Sequence, residues 1–166
     1  MADIEDKREE YYRYTDASFQ FIQTYLSSEP EKDYGTGDKV TQTEAHMLTM
    51  IADNPGIVAA KIAYQWCRTN GAISQIIKKL RKKELIQVKQ DKGNMKNLPL
   101  YVTKKGGKLS DAHKSYDAEK FEETIVVLEE DYTLEEIRLF KRVMMSYSSA
   151  IRDRWKENSD KSAAKK

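Results

Sequence analysis

TNGAISQIIKKLRKK, Thr69 to Lys83, carries two stripes at helical spacing. Ile73, Ile76, Ile77 and Leu80 recur at i, i+3, i+4 and i+7, so one face is apolar and belongs in a core, with Thr69 placed to cap the helix. The opposite face holds Gly71, Gln75, Lys78 and Lys82, with Ala72 and Ser74 beside it. Small and amide residues fill the first turn and cations fill the later ones. A helix that reads base edges with its N-terminal half and holds phosphates with its C-terminal half needs that distribution, because Gln pairs bidentately with adenine while Lys attracts phosphate whatever the sequence. Thr69, Asn70, Gly71, Ala72, Ser74 and Gln75 are therefore candidate contacts near the bases, and Lys78, Lys79 and Lys82 candidate phosphate contacts. The helix macrodipole also favours cations at a C-terminus, so the lysines alone describe a solvated basic face equally well.

The residues that follow separate these readings. Glu84 and Leu85 close the helix, and LIQVKQ, DKGNMKN and LPLYVTKKGG read as strand, turn-rich loop and strand, with Gly93 and Asn94 at the tip. Upstream, Thr41 and Glu44 form a capping box that opens a helix through TEAHMLTMIAD, and Asn54-Pro55-Gly56 stops it. Ile57 to Cys67 is a second short helix, with Ile62 and Trp66 on one side and Ala59, Ala60 and Ala63 permitting close approach. Two helices, the basic helix and a hairpin make a winged helix-turn-helix, here over residues 38–106. Lys92, Asn94 and Lys96 on the wing are a second candidate DNA contact, although edge hairpins also carry lysine simply to discourage strand pairing.

Long helical patterns flank this unit. Residues 3–28 place Tyr11, Tyr12, Phe19, Ile22 and Leu26 on a helix with more apolar surface than one small domain needs. SSEPEKDYGTGDK is a loop. After Gly106-Gly107 the pattern is helical again, and after a break at Asp131-Tyr132 a helix capped by Thr133 carries Ile137, Phe140, Met144, Tyr147, Ile151 and Trp155 at spacings of three and four. That seam, with Tyr11 and Phe19, is expected to pack between the terminal helices of two copies, making 1–30 and 107–157 a helical dimerisation region. NSDKSAAKK, from 158 to 166, lacks periodicity and is expected to be disordered. The fold class is mainly α with a small β-wing and long N- and C-terminal dimerisation helices.

A hydrophobic content of 39% is enough for one core, and the 34% charged content is that of a soluble, helix-rich chain. No apolar run approaches the roughly 20 residues that span a bilayer, and the acidic N-terminus lacks an export signal, so a cytoplasmic protein without a membrane partner is expected. The net charge of +2 hides a segregation: residues 61–108 hold 13 Lys or Arg against Glu84 and Asp91, a net +11, which leaves −9 elsewhere. Positive potential is concentrated on the winged unit.

Element order, with NPGIVAAKIA, TNGAISQIIKKLRKKELI and YVTKKG at matching spacing, resembles the MarR family of bacterial transcription regulators. At the wing tip, where the family usually carries Asp-x-Arg, this chain has Asn94-Met95-Lys96, and lysine suits a narrow minor groove less well than arginine. The resemblance implies a homodimer on double-stranded DNA, with two recognition helices in successive major grooves of a palindrome, half-sites one helical turn apart. It implies repression, relieved by a small ligand, aromatic or lipid-like, or by an oxidant, acting between the dimerisation helices and the winged unit, and no other cofactor.

Other chemistry has little footing. Cys67 precedes the basic helix and has Arg68 beside it, an arrangement that can lower a thiol pKa, but it is read as a small packing residue. His46 and His113, distant in sequence, are read as surface or satisfied core residues, with no metal assigned. HExxH, CxxC and P-loop motifs are missing, so no catalytic residues and no enzyme are read. A winged-helix protein-interaction module and an architectural DNA binder without an operator remain the rival functions.

Overall fold

The computed structural model describes residues 2–26, 30–89 and 98–163. Helices α1 (Ala2–Leu26), α2 (Gln42–Asp53), α3 (Ala59–Gln65) and α4 (Asn70–Lys82) precede strands β1 (Ile86–Val88) and β2 (Leu100–Val102), and α5 (Lys104–Leu128) and α6 (Leu134–Ala163) follow. The fold is the expected winged helix-turn-helix with long terminal helices. No helix among the described residues is long and apolar enough to cross a membrane.

The local rules that start each element are visible. Thr41 and Glu44 form the capping box of α2, each side chain accepting the other residue's backbone N–H at 3.2 Å. Gly56, at φ +87°, turns the chain back after α2, and its N–H donates to the Leu100 carbonyl at 2.8 Å. Leu100 N–H returns a bond to Ile57 O at 3.0 Å, so the Asn-Pro-Gly turn is stitched to β2. β1 and β2 are antiparallel, with Gln87 opposite Tyr101. Met47, Leu48 and Ile51 of α2, Ile62 of α3, Ile73 and Leu80 of α4, Leu85, Leu100 and Leu109 form one buried cluster.

Two boundaries differ from the sequence reading. Lys104 to Gly107, read as the end of the second strand, are the first turn of α5. Thr103 caps it, accepting Gly106 N–H at 3.0 Å and donating its own N–H to Leu85 O at 3.0 Å. The first half of α5, with Leu109, Ser110 and His113 buried, packs on α2 and belongs to the winged unit rather than to a separate region starting at 107. The polar segment from 158, expected to be disordered, continues α6 through Ala163, and residues 164–166 lie outside the described residues. Just before that segment α6 is anchored on α3: Tyr64 Oη donates to Asp153 at 3.3 Å, while Arg152 and Lys156 flank the Tyr64 ring. With neither Gly nor Pro after that anchor, nothing stops the helix.

α1 and α6 meet edge-to-face at Phe21 and Phe140, ring centroids 6.3 Å apart. Among the described residues, every large exposed hydrophobic lies on α1, the second half of α5, α6 or the α5–α6 turn, including Tyr11, Phe19, Phe140, Met144, Tyr147 and Ile151. Ile137 and Trp155 are half-buried. The chain exposes 12745 Å², whereas a compact monomer of this mass exposes about 8,500 Å².

Candidate nucleic-acid interface

The orientation of α4 is set from behind. Its Ile73 and Leu80 are buried, and its N-terminus is fixed by Thr69 Oγ1, which accepts Ala72 N–H at 3.2 Å. At the other end Lys83 Nζ reaches the buried Glu44 carboxylate at 2.6 Å and the Lys39 carbonyl at 2.8 Å. Lys105 Nζ takes the Lys83 carbonyl at 3.0 Å, satisfying one of the acceptors that a helix C-terminus leaves open. The sequence pattern had singled out Glu44 only as a cap; in the structure it also clamps α4 to α2.

With that anchoring, Thr69, Asn70, Gly71, Ala72, Ser74, Gln75, Lys78, Lys79 and Lys82 are all exposed. They do not form one surface. Gly71, Ser74, Gln75, Lys78 and Lys82 share the face opposite the core, as helical geometry requires of positions three and four apart. Ala72 instead lies on the flank towards α2, where with Ile76 it lines a cleft, and Lys79 on the same flank stands 4.0 Å from Glu44. Thr69 has its hydroxyl committed to the cap. Arg81, exposed on the other flank, is an additional cation that the stripe reading passed over. Lys92, Asn94 and Lys96 fall within residues 90–97, outside the described residues. At the base of the wing Gln87 and Lys89 are exposed, and Lys89 Nζ lies 4.7 Å from the Tyr101 ring centroid.

Behind the first turn of α4 is a cleft of about 660 Å³ between three helices. Tyr25 and Leu26 of α1 form one wall, Gln42, Thr43, His46 and Met50 of α2 the second, and Trp66, Arg68, Ala72 and Ile76 the third. Arg68 is exposed and brings a cation to an otherwise mostly apolar lining. Cys67 is half-buried at φ +49°, with Arg68 N–H donating to Ala63 O at 2.9 Å; its backbone makes the turn from α3 into α4.

The two histidines, distant in sequence, meet at the α2–α5 contact with ring centroids 4.7 Å apart. His113 is buried, its Nδ1 lies 3.1 Å from Thr49 Oγ1, and Tyr34 packs edge-on against it. Burial pushes its pKa below the ordinary histidine value, Asp117 opposes that shift, and His46 adds to it. No sequence signal could pair them, because α3, α4 and both strands intervene between the two helices that bring them together.

The MarR family model matches residues 40–98. An HTH-type transcriptional regulator of Bacillus subtilis (strain 168), YhjH, described as uncharacterized, is 31% identical over 125 residues, 74% of this chain and 71% of its own length. FabT of Streptococcus pneumoniae, crystallised in complex with DNA, superposes with a TM-score of 0.64 at 18% identity, over 86% of this chain and 98% of its own. A MarR family regulator from Listeria monocytogenes complexed with 26mer DNA gives 0.60 at 23% identity, over 93% and 92%. The two solved structures show the fold, and the curated relative shows kinship along most of the chain. On these matches and the geometry above, the chain belongs to the MarR family of winged helix-turn-helix transcription regulators.

Proposed function

We propose that this protein is a sequence-specific repressor that binds a palindromic DNA duplex as a homodimer and is released by a small ligand. The observation that carries the reading is the outward face of α4, where Ser74 and Gln75 precede Lys78 and Lys82 on a helix held rigidly by Ile73, Leu80 and the Glu44–Lys83 pair. Gln75 offers a bidentate amide to a base edge, and the lysines neutralise phosphates on either side of the groove. Gly71 lets the backbone at the helix N-terminus approach a phosphate oxygen. FabT and the Listeria regulator, each solved with DNA, share this fold and support the assignment.

The dimer reading rests on the uncovered apolar surface of α1 and α6. The ligand reading rests on the cleft, whose volume suits a small molecule and whose lining of Tyr25, Leu26, Met50, Trp66 and Ile76 suits an aromatic or lipid-like one. A ligand wedged there presses on Trp66 and Ala72, at the hinge that aims α4. The reading is tested by fluorescence anisotropy on the duplex upstream of the protein's own coding sequence, competed with a scrambled duplex at physiological salt. A preference of about a thousandfold or more is expected, falling when a phenolic or fatty-acyl compound is added. Equal affinity for both duplexes would replace the operator reading with architectural binding.

A further inference from the structure

We infer that His46, His113 and Asp117 form a binding site for one divalent transition-metal ion of the zinc class per chain, at the junction of α2 and α5. One donor atom from each of the three residues lies within 4.8 Å of the other two. Tetrahedral coordination with metal–nitrogen bonds of about 2.0–2.1 Å sets donors about 3.4 Å apart, so the site closes by roughly an ångström. Asp117, whose side chain is 44% exposed, and the half-buried His46 have the freedom to move that far.

His113 is the fixed ligand and gives the inference its main support. Its Nε2 is buried and has no hydrogen-bond partner among the described residues. Asp117 Oδ2 stands 3.3 Å from that nitrogen but off the line of a hydrogen bond. The other ring nitrogen, Nδ1, meets Thr49 Oγ1 at 3.1 Å, and Ser110 Oγ lies 3.5 Å from the same hydroxyl. With the proton on Nδ1 and donated to Thr49, Nε2 presents a lone pair towards Asp117. That is the arrangement by which an outer hydrogen bond orients a metal-ligating imidazole. A buried ring nitrogen with nothing to bond is otherwise costly, and few native structures retain one without a purpose.

The donor set selects the ion class. Two imidazoles and one carboxylate suit zinc, cobalt(II) or nickel(II), while magnesium and calcium prefer all-oxygen shells. Three protein ligands leave a fourth position for water. Occupancy ties α2, which seats the recognition helix, to α5, which leads towards the dimerisation surface. His46 also lines the cleft behind α4, so on the DNA-binding reading above the ion shifts operator affinity. The site itself does not depend on that reading.

The test is a titration of the metal-stripped full-length protein with Co²⁺ in the absence of DNA. Visible ligand-field absorption should saturate at one ion per chain, be displaced by Zn²⁺ and survive excess Mg²⁺. His46→Gln and Asp117→Asn alter partly exposed side chains and should leave the circular dichroism unchanged. Each should weaken Co²⁺ binding by at least about 10–100-fold, the range already found for losing a supporting hydrogen bond. Cys67→Ser should bind as the parent does. No saturable binding to the parent, unchanged binding in His46→Gln and Asp117→Asn, or loss of binding in Cys67→Ser would each overturn the site.

Discussion

Gly106 and Gly107 are neighbours with opposite tolerances. A Cβ at Gly106 would sit 1.9 Å from the Leu85 carbonyl oxygen, whereas one at Gly107 meets nothing within 4 Å. Gly106→Ala must therefore displace α5 from the backbone at Leu85 and should cost about 3 kcal/mol, lowering Tm by roughly 6–12 °C. Gly107→Ala should raise stability by about 0.5–1 kcal/mol, because it only removes a helix-disfavouring residue. Thermal melts of the two variants check both signs, and equal effects would refute the close approach. From sequence the glycine pair was legible as punctuation but not as a contact, since the carbonyl it meets lies in another segment. Ala72 shows the same limit: periodicity put it on the helix surface, but only packing shows that it faces the cleft. The His46–His113 meeting was invisible for that reason as well.

Helices were legible because their signals are local. Thr41 with Glu44 and Thr69 before Ile73 were read as caps, and the hydrogen bonds are there. Thr133 was read as a cap too; its hydroxyl accepts Glu136 N–H at 3.3 Å, while the Glu136 carboxylate accepts Thr133 N–H at 2.8 Å. Bonds from the Thr133 hydroxyl and backbone hold the Glu136 carboxyl below its ordinary pKa of 4.5. A lowered carboxylate pKa contributes helix stability above the ordinary value and loses it as pH falls through the lowered one. Amide exchange in the first turn of α6 should therefore quicken below about pH 4.5, and Thr133→Ala should remove that pH dependence. Exchange that stays pH-dependent in the variant, after correction for intrinsic rates, would contradict the capping box. Element ends were less legible. Lys104–Gly107 belong to α5 because the Thr103 hydroxyl accepts the Gly106 N–H, a cap whose position is fixed by the Thr103 N–H bond to the Leu85 carbonyl that only tertiary structure supplies, and α6 runs past its apolar periodicity with no Gly or Pro to stop it.

At the scale of the molecule, two asymmetries visible in the sequence organise the function. Basic charge gathers on the winged unit, and uncovered apolar residues gather on the terminal helices, where the surplus accessible area of the single chain has its hydrophobic part. The proposed homodimer would cover that face, and the spacing along α6 suits a second copy. Phe140→Asp combined with Met144→Asp should convert a dimer in sedimentation equilibrium at micromolar concentration into a monomer. It should also weaken operator binding by far more than half-site binding, because a monomer loses the effective concentration of the second recognition helix. A double variant that remains dimeric would place the interface elsewhere. The division between core and uncovered apolar surface was legible in outline only, since α5 contributes to both.

On the proposed function α4 reads bases with its first turns and grips phosphates with its later ones, and a comparison of Gln75→Ala with Lys78→Ala on operator and random duplexes across a salt series separates the two roles. Lys78→Ala should weaken both duplexes alike and reduce the slope of log affinity against log salt by about 1. Gln75→Ala should leave the slope unchanged and erase about 1–3 kcal/mol of preference for the operator. Equal losses from both variants on every duplex would contradict the division of labour and leave α4 as an unspecific basic helix.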